Sequence, residues 1–426
     1  VFTEARKTEI NNQLILEAET YINWLGKFGG QPNGGVTRLL YTTEWRQAQQ
    51  ALAEKMSECG LQVYDDRVGN LFGRLEGTIP HARTILTGSH IDTVKNGGKY
   101  DGAYGIIAGI IALDFLNKTY GSPKRPLEVV ALCEEEGSRF PLTFWGSGNI
   151  TGHHHIRKVD GIKDANDIRF EDAMLQAGFG QVAQKDCIRL DLAAFIELHI
   201  EQGVVLERQG VKLGVVESIV GQKRYTFIVD GEAGHAGTTP MHMRRDALTG
   251  VAEMIKQLEK SALRYHDQLV ATVGFIEAIP NASNVIPGRV IFTVDTRHTN
   301  EKLLNQFAIG MISRFHEIAA ARQLNLSVQM WMDETPTQLD VSLTARLENI
   351  CQSQGVSYQR MISGAGHDSQ IFQALCPTVM LFVPSRDGIS HSPLEYTSPE
   401  DLAVGILVLI ELLYQLGYEE NTDENL

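Results

Sequence analysis

The sequence predicts an α/β protein: a mainly parallel mixed sheet flanked by helices, with an inserted α+β unit of four strands and two helices. Three observations carry that prediction. Short, continuously apolar runs alternate with helical segments through the first half of the chain. The alternation breaks off near residue 217 and resumes after residue 330. The length of 426 residues supplies material for more than one core. On this reading residues 1–216 and 331–426 form one domain, and residues 217–330 form a second domain inserted into it.

Taken in order, residues 44–59 read as an amphipathic helix with Trp45, Ala48, Leu52 and Met56 on one face, Thr42 or Thr43 as N-cap and Gly60 as the stop. The runs LQVYDD and NLFGRL flank a Gly-Asn turn. TILTGSHI and LEVVALCEE follow, separated by a helical segment over 103–118, and together they make a βαβ unit. In such a unit the ligand site lies beyond the carboxyl ends of the strands, where GSHID and CEEEG stand. Gly102, Gly105 and Gly109, in or beside that helix, are read as permitting close helix-sheet packing rather than cradling phosphate. The inserted segment holds the strands YTFIVDG, QLVATVGFIEAI, VIFTVDTRH and LSVQMWM, and helices over 245–265 and 301–322. The first pattern then returns with TVMLFVPS and an amphipathic helix over 399–416.

Subtracting 52 acidic from 38 basic side chains leaves a net charge of −14, which argues against nucleic acid or an anionic membrane surface as a partner. A small anionic substrate is still admissible, because an arginine cluster or a bound cation outweighs the global field inside a cleft. Cys59, Cys133, Cys187, Cys351 and Cys376 are scattered and never form a CxxC pair, so neither a disulfide framework nor a zinc knuckle is expected, and the cytoplasm is the expected location. The first ten residues lack an apolar signal core. The longest apolar stretch, 106–116, is too short to span a bilayer and contains Asp114.

The chemistry concentrates at the predicted strand ends and in the adjoining loops: His90, Asp101, the run Glu134, Glu135 and Glu136, His199 and His391. This mixture of nitrogen and carboxylate donors suits zinc or manganese, and a carboxylate able to bridge two ions is what a two-metal hydrolase requires. Each residue taken singly could be a hydrogen-bonded loop residue. The three consecutive glutamates are harder to explain that way, because they repel one another unless cations neutralise them. His153, His154 and His155 are read as a solvated loop, since adjacent histidines seldom converge on one ion. Gly146-Ser147-Gly148 lacks the strand-to-helix elbow of a serine nucleophile.

GSHIDTVKNGGKYDG, CEEEGSRF, ELHIEQG, GHAGTTP, NVIPG and ISHSP, in that order, resemble the dinuclear metallo-amidohydrolases of the M20 peptidase family across almost the whole chain. The chain looks most like the branch acting on ureido groups, the allantoate amidohydrolases and N-carbamoyl-L-amino acid hydrolases. GGVTRLLYTTEW, FPLTFWGSGNITG and WMDETP lean towards the allantoate members.

The resemblance implies two divalent ions per subunit, zinc or manganese. His90 and His199 would ligate one, Glu136 and His391 the other, and Asp101 would bridge them. Glu135 would be the general base, with Glu134 in support. His235 would donate to the oxyanion, either from the partner of a homodimer or by hinge closure. Gln202, Arg224, Asn284 and Arg297 match substrate contacts, the arginines as forks for a carboxylate. Gly364 and Gly366, in GAGHD, match a loop presenting backbone N–H groups, with His367 and Asp368 supporting the site. The implied reaction is hydrolysis of the ureido C–N bond of allantoate to ureidoglycine, ammonia and carbon dioxide, in purine nitrogen salvage. N-carbamoyl-L-amino acids are the alternative substrates, and a non-catalytic binding protein on the same scaffold is the remote one.

Overall fold

The structure, a computed structural model, describes residues 4–156 and 159–419. The chain divides into two compact units, one made of Val1–Glu217 with Gln338–Leu426, the other of Ser218–Thr337. In chain order the first unit contains α1 (Glu4–Leu25), α2 (Thr43–Glu58), β1 (Gln62–Asp65), β2 (Leu71–Leu75), β3 (Thr84–His90), α3 (Ala103–Tyr120), β4 (Leu127–Leu132), α4 (Trp145–Thr151), α5 (Phe170–Gln176), β5 (Leu192–Ile200), α6 (Val205–Gln209) and β6 (Leu213–Ile219). The second unit follows with β7 (Gly221–Asp230), β8 (Gly234–His235), α7 (Ala247–Ala262), β9 (Val270–Ile279), β10 (Val285–Ile286), β11 (Arg289–His298), α8 (Glu301–Ala321) and β12 (Asn325–Glu334). The chain then returns to the first unit through β13 (Thr337–Gln338), α9 (Val341–Gln354), β14 (Tyr358–Ser363), α10 (Asp368–Phe372), β15 (Thr378–Val383) and α11 (Pro399–Gly417).

The large sheet runs β1-β2-β4-β3-β5-β15-β6-β13, with β14 also paired to β6. Its centre, β4-β3-β5-β15, is parallel, and antiparallel pairs extend it on either side. Every residue of the four central strands is buried, as expected where both faces of a parallel sheet are covered. Parallel alignment brings their carboxyl ends to one edge. His90 is the last residue of β3, Glu134 follows β4 by two residues, and His199 is the penultimate residue of β5. The loop carrying His391 leaves the end of β15.

Helix α3 is apolar on every side, and all its residues from Ala103 to Leu113 are buried. Gly105 is where it meets the sheet, because a methyl group there would lie 2.6 Å from the Leu198 carbonyl oxygen. Gly102 differs from the packing glycine expected. It is the N-cap, with φ of 63°, and a side chain there would press on the His90 ring.

Helix α2 starts where Thr42 Oγ1 accepts from Trp45 N–H at 3.3 Å, and it buries Trp45, Ala48, Leu52 and Met56 as the periodicity predicts. Trp45 also donates from Nε1 to the Cys133 carbonyl at 3.0 Å and so tethers the chain just before the glutamates. Trp45→Ala is expected to lower the unfolding free energy by about 3–5 kcal/mol, measured by urea titration, because it opens a cavity and strips a buried carbonyl of its donor.

Two long helices, α1 and α9, were not anticipated, although α1 presents Leu14, Ala18, Ile22 and Leu25 as a buried stripe at helical spacing. Gly146-Ser147-Gly148 lies inside α4, where Ser147 Oγ donates to Asp368 Oδ1 at 2.6 Å. No helix among the described residues is long and apolar enough to cross a membrane.

The second unit has a four-stranded antiparallel sheet, β12-β7-β11-β9. Tyr225, Phe227 and Val229 of β7 stand directly opposite Val294, Phe292 and Val290 of β11 and join one core with α7 and α8. The unit extends past the expected limit of residue 330, because β12 continues its pairing with β7 to Glu334.

Candidate active site

Three of the expected ligands meet where β3, the β3–α3 loop and β5 end. His90 Nε2 lies 3.5 Å and His199 Nε2 3.2 Å from Asp101 Oδ1. The other oxygen, Asp101 Oδ2, lies 3.2 Å from His391 Nε2, which is itself 3.3 Å from Glu136 Oε1. Two donors each about 2.1 Å from one ion, at a tetrahedral angle, stand about 3.4 Å apart, so these spacings suit cation ligands as well as direct contacts.

The ring orientations agree. His199 Nδ1 faces the Ile200 carbonyl at 2.9 Å while its Nε2 accepts from Gly102 N–H at 3.2 Å, so the proton belongs on Nδ1. His90 Nδ1 likewise faces Asp92, 3.1 Å from its carbonyl and 3.3 Å from Oδ1. Both rings therefore turn an Nε2 lone pair towards a carboxylate, an arrangement that a cation between them stabilises. Among the described residues three groups can hold a metal ion: His90, Asp101 and His199; His90, Glu135 and Glu136; and Asp101, Glu136 and His391. None includes His153, His154 or His155. His154 is not solvated as expected but half-buried, with Nε2 2.9 Å from the Thr143 carbonyl and its ring against Trp145.

Several supporting residues escaped the sequence reading. Asp92 accepts the backbone N–H groups of Glu135 at 3.0 Å and Glu136 at 3.1 Å, tying the glutamate run to His90. The signal was available in GSHID, two residues after the histidine. Glu197 lies on the same face of β5 as His199, two residues away, and is fully buried. It accepts from Ser89 Oγ at 2.8 Å and from Ser369 N–H at 2.9 Å. Glu395 accepts the N–H groups of Tyr100 and Asp101, and no local pattern marks it. Gln202, which was anticipated, has φ of 56° and donates from Nε2 to Asp101 Oδ2 at 2.8 Å.

The electrostatics match a site meant for cations. Burial and the neighbouring Glu136 carboxylate push Glu135 well above the usual carboxylate range, and burial with Asp92 does the same to Glu134. Asp368 is pushed up to about 8 by burial and by Glu197. Hydrogen bonding to Asp101 and Glu136 raises His391 to about 11. Glu134 Oε2, Asp368 Oδ2 and Gln202 Oε1 are buried without a hydrogen-bond partner. Divalent cations would offset the repulsion and favour the ionised form of Glu134, Glu135 and Asp368.

In the GAGHD loop, Gly366 faces the Phe144 ring, and His367 Nε2 lies 2.9 Å from Ser363 Oγ with its ring against His199. Gly364 opens the loop directly after β14.

The remaining candidates belong to the second unit. His235 is exposed, and its Nδ1 accepts from the N–H groups of Gly237 at 3.0 Å and Thr238 at 3.2 Å. The turn therefore places the proton on Nε2, making the outer nitrogen a donor. Asn284 is beside it, since Ala236 N–H donates to the Asn284 carbonyl at 3.0 Å and His235 pairs with Val285. Arg224 and Arg297 share one carboxylate that was not anticipated. Asp295 takes Arg224 Nε at 2.9 Å and the Nε and Nη2 of Arg297 at 3.0 Å each. Arg224 also stacks over Trp331. The two guanidinium groups thus sit together on β7 and β11, already oriented by Asp295.

Known proteins share both the sequence and the architecture. The chain is 46% identical over 415 residues to an allantoate amidohydrolase of Bacillus subtilis (strain 168), covering 97% of this chain and 100% of that protein. It is 39% identical over 401 residues to an N-carbamoyl-L-amino acid amidohydrolase of Geobacillus stearothermophilus, covering 93% and 97%. The crystal structure of an amidase of the hydantoinase/carbamoylase family from Burkholderia multivorans superposes with a TM-score of 0.88 at 33% identity, over 96% of this chain and 98% of that one. Residues 86–415 match the description of peptidase family M20/M25/M40, and that span encloses every strand-end residue from His90 to His391. The family match over most of the chain, together with 46% identity to a relative covered over its full length, shows that the chain belongs to peptidase family M20/M25/M40.

Proposed function

We propose that the protein hydrolyses a ureido C–N bond in a small carboxylate substrate, allantoate first, to ureidoglycine, ammonia and carbon dioxide. The observation that carries this reading is the position of Asp101, one carboxylate whose two oxygens face different ligand groups. His90 and His199 would hold one divalent ion, Glu136 and His391 a second, and Asp101 would bridge them, with zinc or manganese as the metal. When bound, such ions supply Lewis-acid polarisation of a carbonyl and lower the pKa of water towards 7.

The chain's own residues do the rest. A ureido carbonyl is a poor electrophile because two nitrogens donate into it. Glu135, which stands beside His90 and Glu136, takes a proton from the attacking water and later delivers it to the departing nitrogen in this reading. His235, through Nε2–H, donates to the oxyanion, from its own subunit by hinge motion or from a homodimer partner. Arg224 and Arg297, with Asn284, orient the substrate carboxylate. Gln202 and the backbone at Gly364 and Gly366 orient the ureido group. His235→Ala is expected to lower kcat by about 100- to 1,000-fold with a smaller change in KM, read by steady-state ammonia release.

The homodimer is supported by the edge strand β9, whose Phe275 and Ile276 are 49% and 48% exposed. A cytoplasmic setting is supported by five cysteines that are all free and buried.

The substrate order follows the relatives, 46% identity to the allantoate enzyme against 39% to the carbamoyl amino acid enzyme. Rates on allantoate and on several N-carbamoyl-L-amino acids, measured side by side with added manganese or zinc, test it. Faster turnover of the carbamoyl amino acids would reverse the order, and no ammonia from either would favour a binding protein.

A further inference from the structure

We propose that Glu395 is the positioning residue that keeps both oxygens of Asp101 available as ligands, by fixing the Asp101 backbone and by engaging the proton of Ser390. The inference rests on the proposed bridging role of Asp101.

Glu395 is 4% exposed and comes from the loop after β15, nearly three hundred residues from Asp101 in sequence. Its Oε1 accepts the backbone N–H groups of Tyr100 at 2.9 Å and Asp101 at 3.1 Å. Its Oε2 accepts from Ser390 Oγ at 2.8 Å. The site is built around this carboxylate, because any side chain at Gly98 would collide with it.

Lone pairs decide the rest. Asp101 Oδ2 faces His391 and already accepts from Gln202 Nε2 at 2.8 Å. One direction on that oxygen remains for a cation. Ser390 Oγ lies 3.3 Å from the same oxygen, within reach of a second donation that would occupy it. Serine has a single hydroxyl proton. While that proton points to Glu395 Oε2, the last lone pair of Asp101 Oδ2 stays free. Glu395→Gln keeps the acceptor for the two backbone N–H groups but turns an amide donor towards Ser390. Ser390 then accepts, and its own proton is released to Asp101 Oδ2.

The test is titration of ion-free full-length protein with Mn²⁺ in competition with a chromophoric chelator. Wild type is expected to take up two ions. E395Q is expected to bind one of them about 10- to 100-fold more weakly and the other unchanged. The double variant Glu395→Gln with Ser390→Ala, which has no hydroxyl proton to redirect, is expected to recover affinity. A residue of merely structural importance would instead show deeper loss in the double variant. Gly98→Ala displaces Glu395 without changing its chemistry, should produce the same weakening of one ion, and carries the test if E395Q does not fold. Two ions in wild type with unchanged binding in E395Q, or no recovery in the double variant, overturns the inference alone. Fewer than two ions in wild type overturns the bridging reading and this inference with it.

Discussion

Glu135→Gln is expected to lower kcat for ureido hydrolysis by about 1,000- to 10,000-fold while metal content stays that of the wild type. The substitution changes one atom and preserves volume. It also leaves in place the backbone N–H that Asp92 holds at 3.0 Å. What is lost is a group able to accept a proton from water and return it to nitrogen. The loss should fall on kcat rather than KM, because the proton moves only on the way to the transition state. Ammonia release together with elemental analysis of the same sample checks both halves. A variant with normal turnover would remove Glu135 from the reaction.

Asp101→Asn should be more severe for metal binding than any change in the supporting residues. Asp101 is buried against three histidine nitrogens, and its two oxygens divide between them, Oδ1 towards His90 and His199 and Oδ2 towards His391. An asparagine amide offers one oxygen and, on the other side, a donor that repels a cation. The expected result is more than ~100-fold weaker uptake of at least one ion, beyond what a supporting residue costs, with activity falling accordingly. Competition against a chelator measures the affinity. Wild-type affinity in this variant would mean that Asp101 is not a ligand.

The legible part of the fold was the part written in buried strands and one-sided helices. TILTGSHI and LEVVALCEE announced β3 and β4 because a parallel sheet covered on both faces needs unbroken apolar runs. The face of α2 was readable from Trp45, Ala48, Leu52 and Met56 because one side of that helix meets the core. The expected ligands shared a simpler signal, polar residues at the carboxyl ends of apolar strands or in the loops that leave them.

The supporting shell was harder. Glu197 stands two residues before His199 on the same strand, where alternation could have exposed it, and Asp92 stands two residues past His90, just beyond the end of β3. Glu395 could not be found that way, since its partners at Tyr100 and Asp101 are brought to it only by the tertiary fold. Asp295, which ties Arg224 to Arg297, is visible only once β7 and β11 are in register. His235 carried the least local information, and the orientation of its ring follows from two backbone N–H groups in its own turn.

The most direct measurement is turnover of allantoate by protein stripped with a chelator and then returned stepwise to zinc or manganese, with ions per chain counted at each step. Negligible ammonia release from the stripped protein, and full activity only as the count reaches two, is the predicted result. Equal rates for stripped and reloaded protein, or full activity with the count held at zero, would contradict the claim that the carboxylates gathered around Asp101 serve a pair of cations.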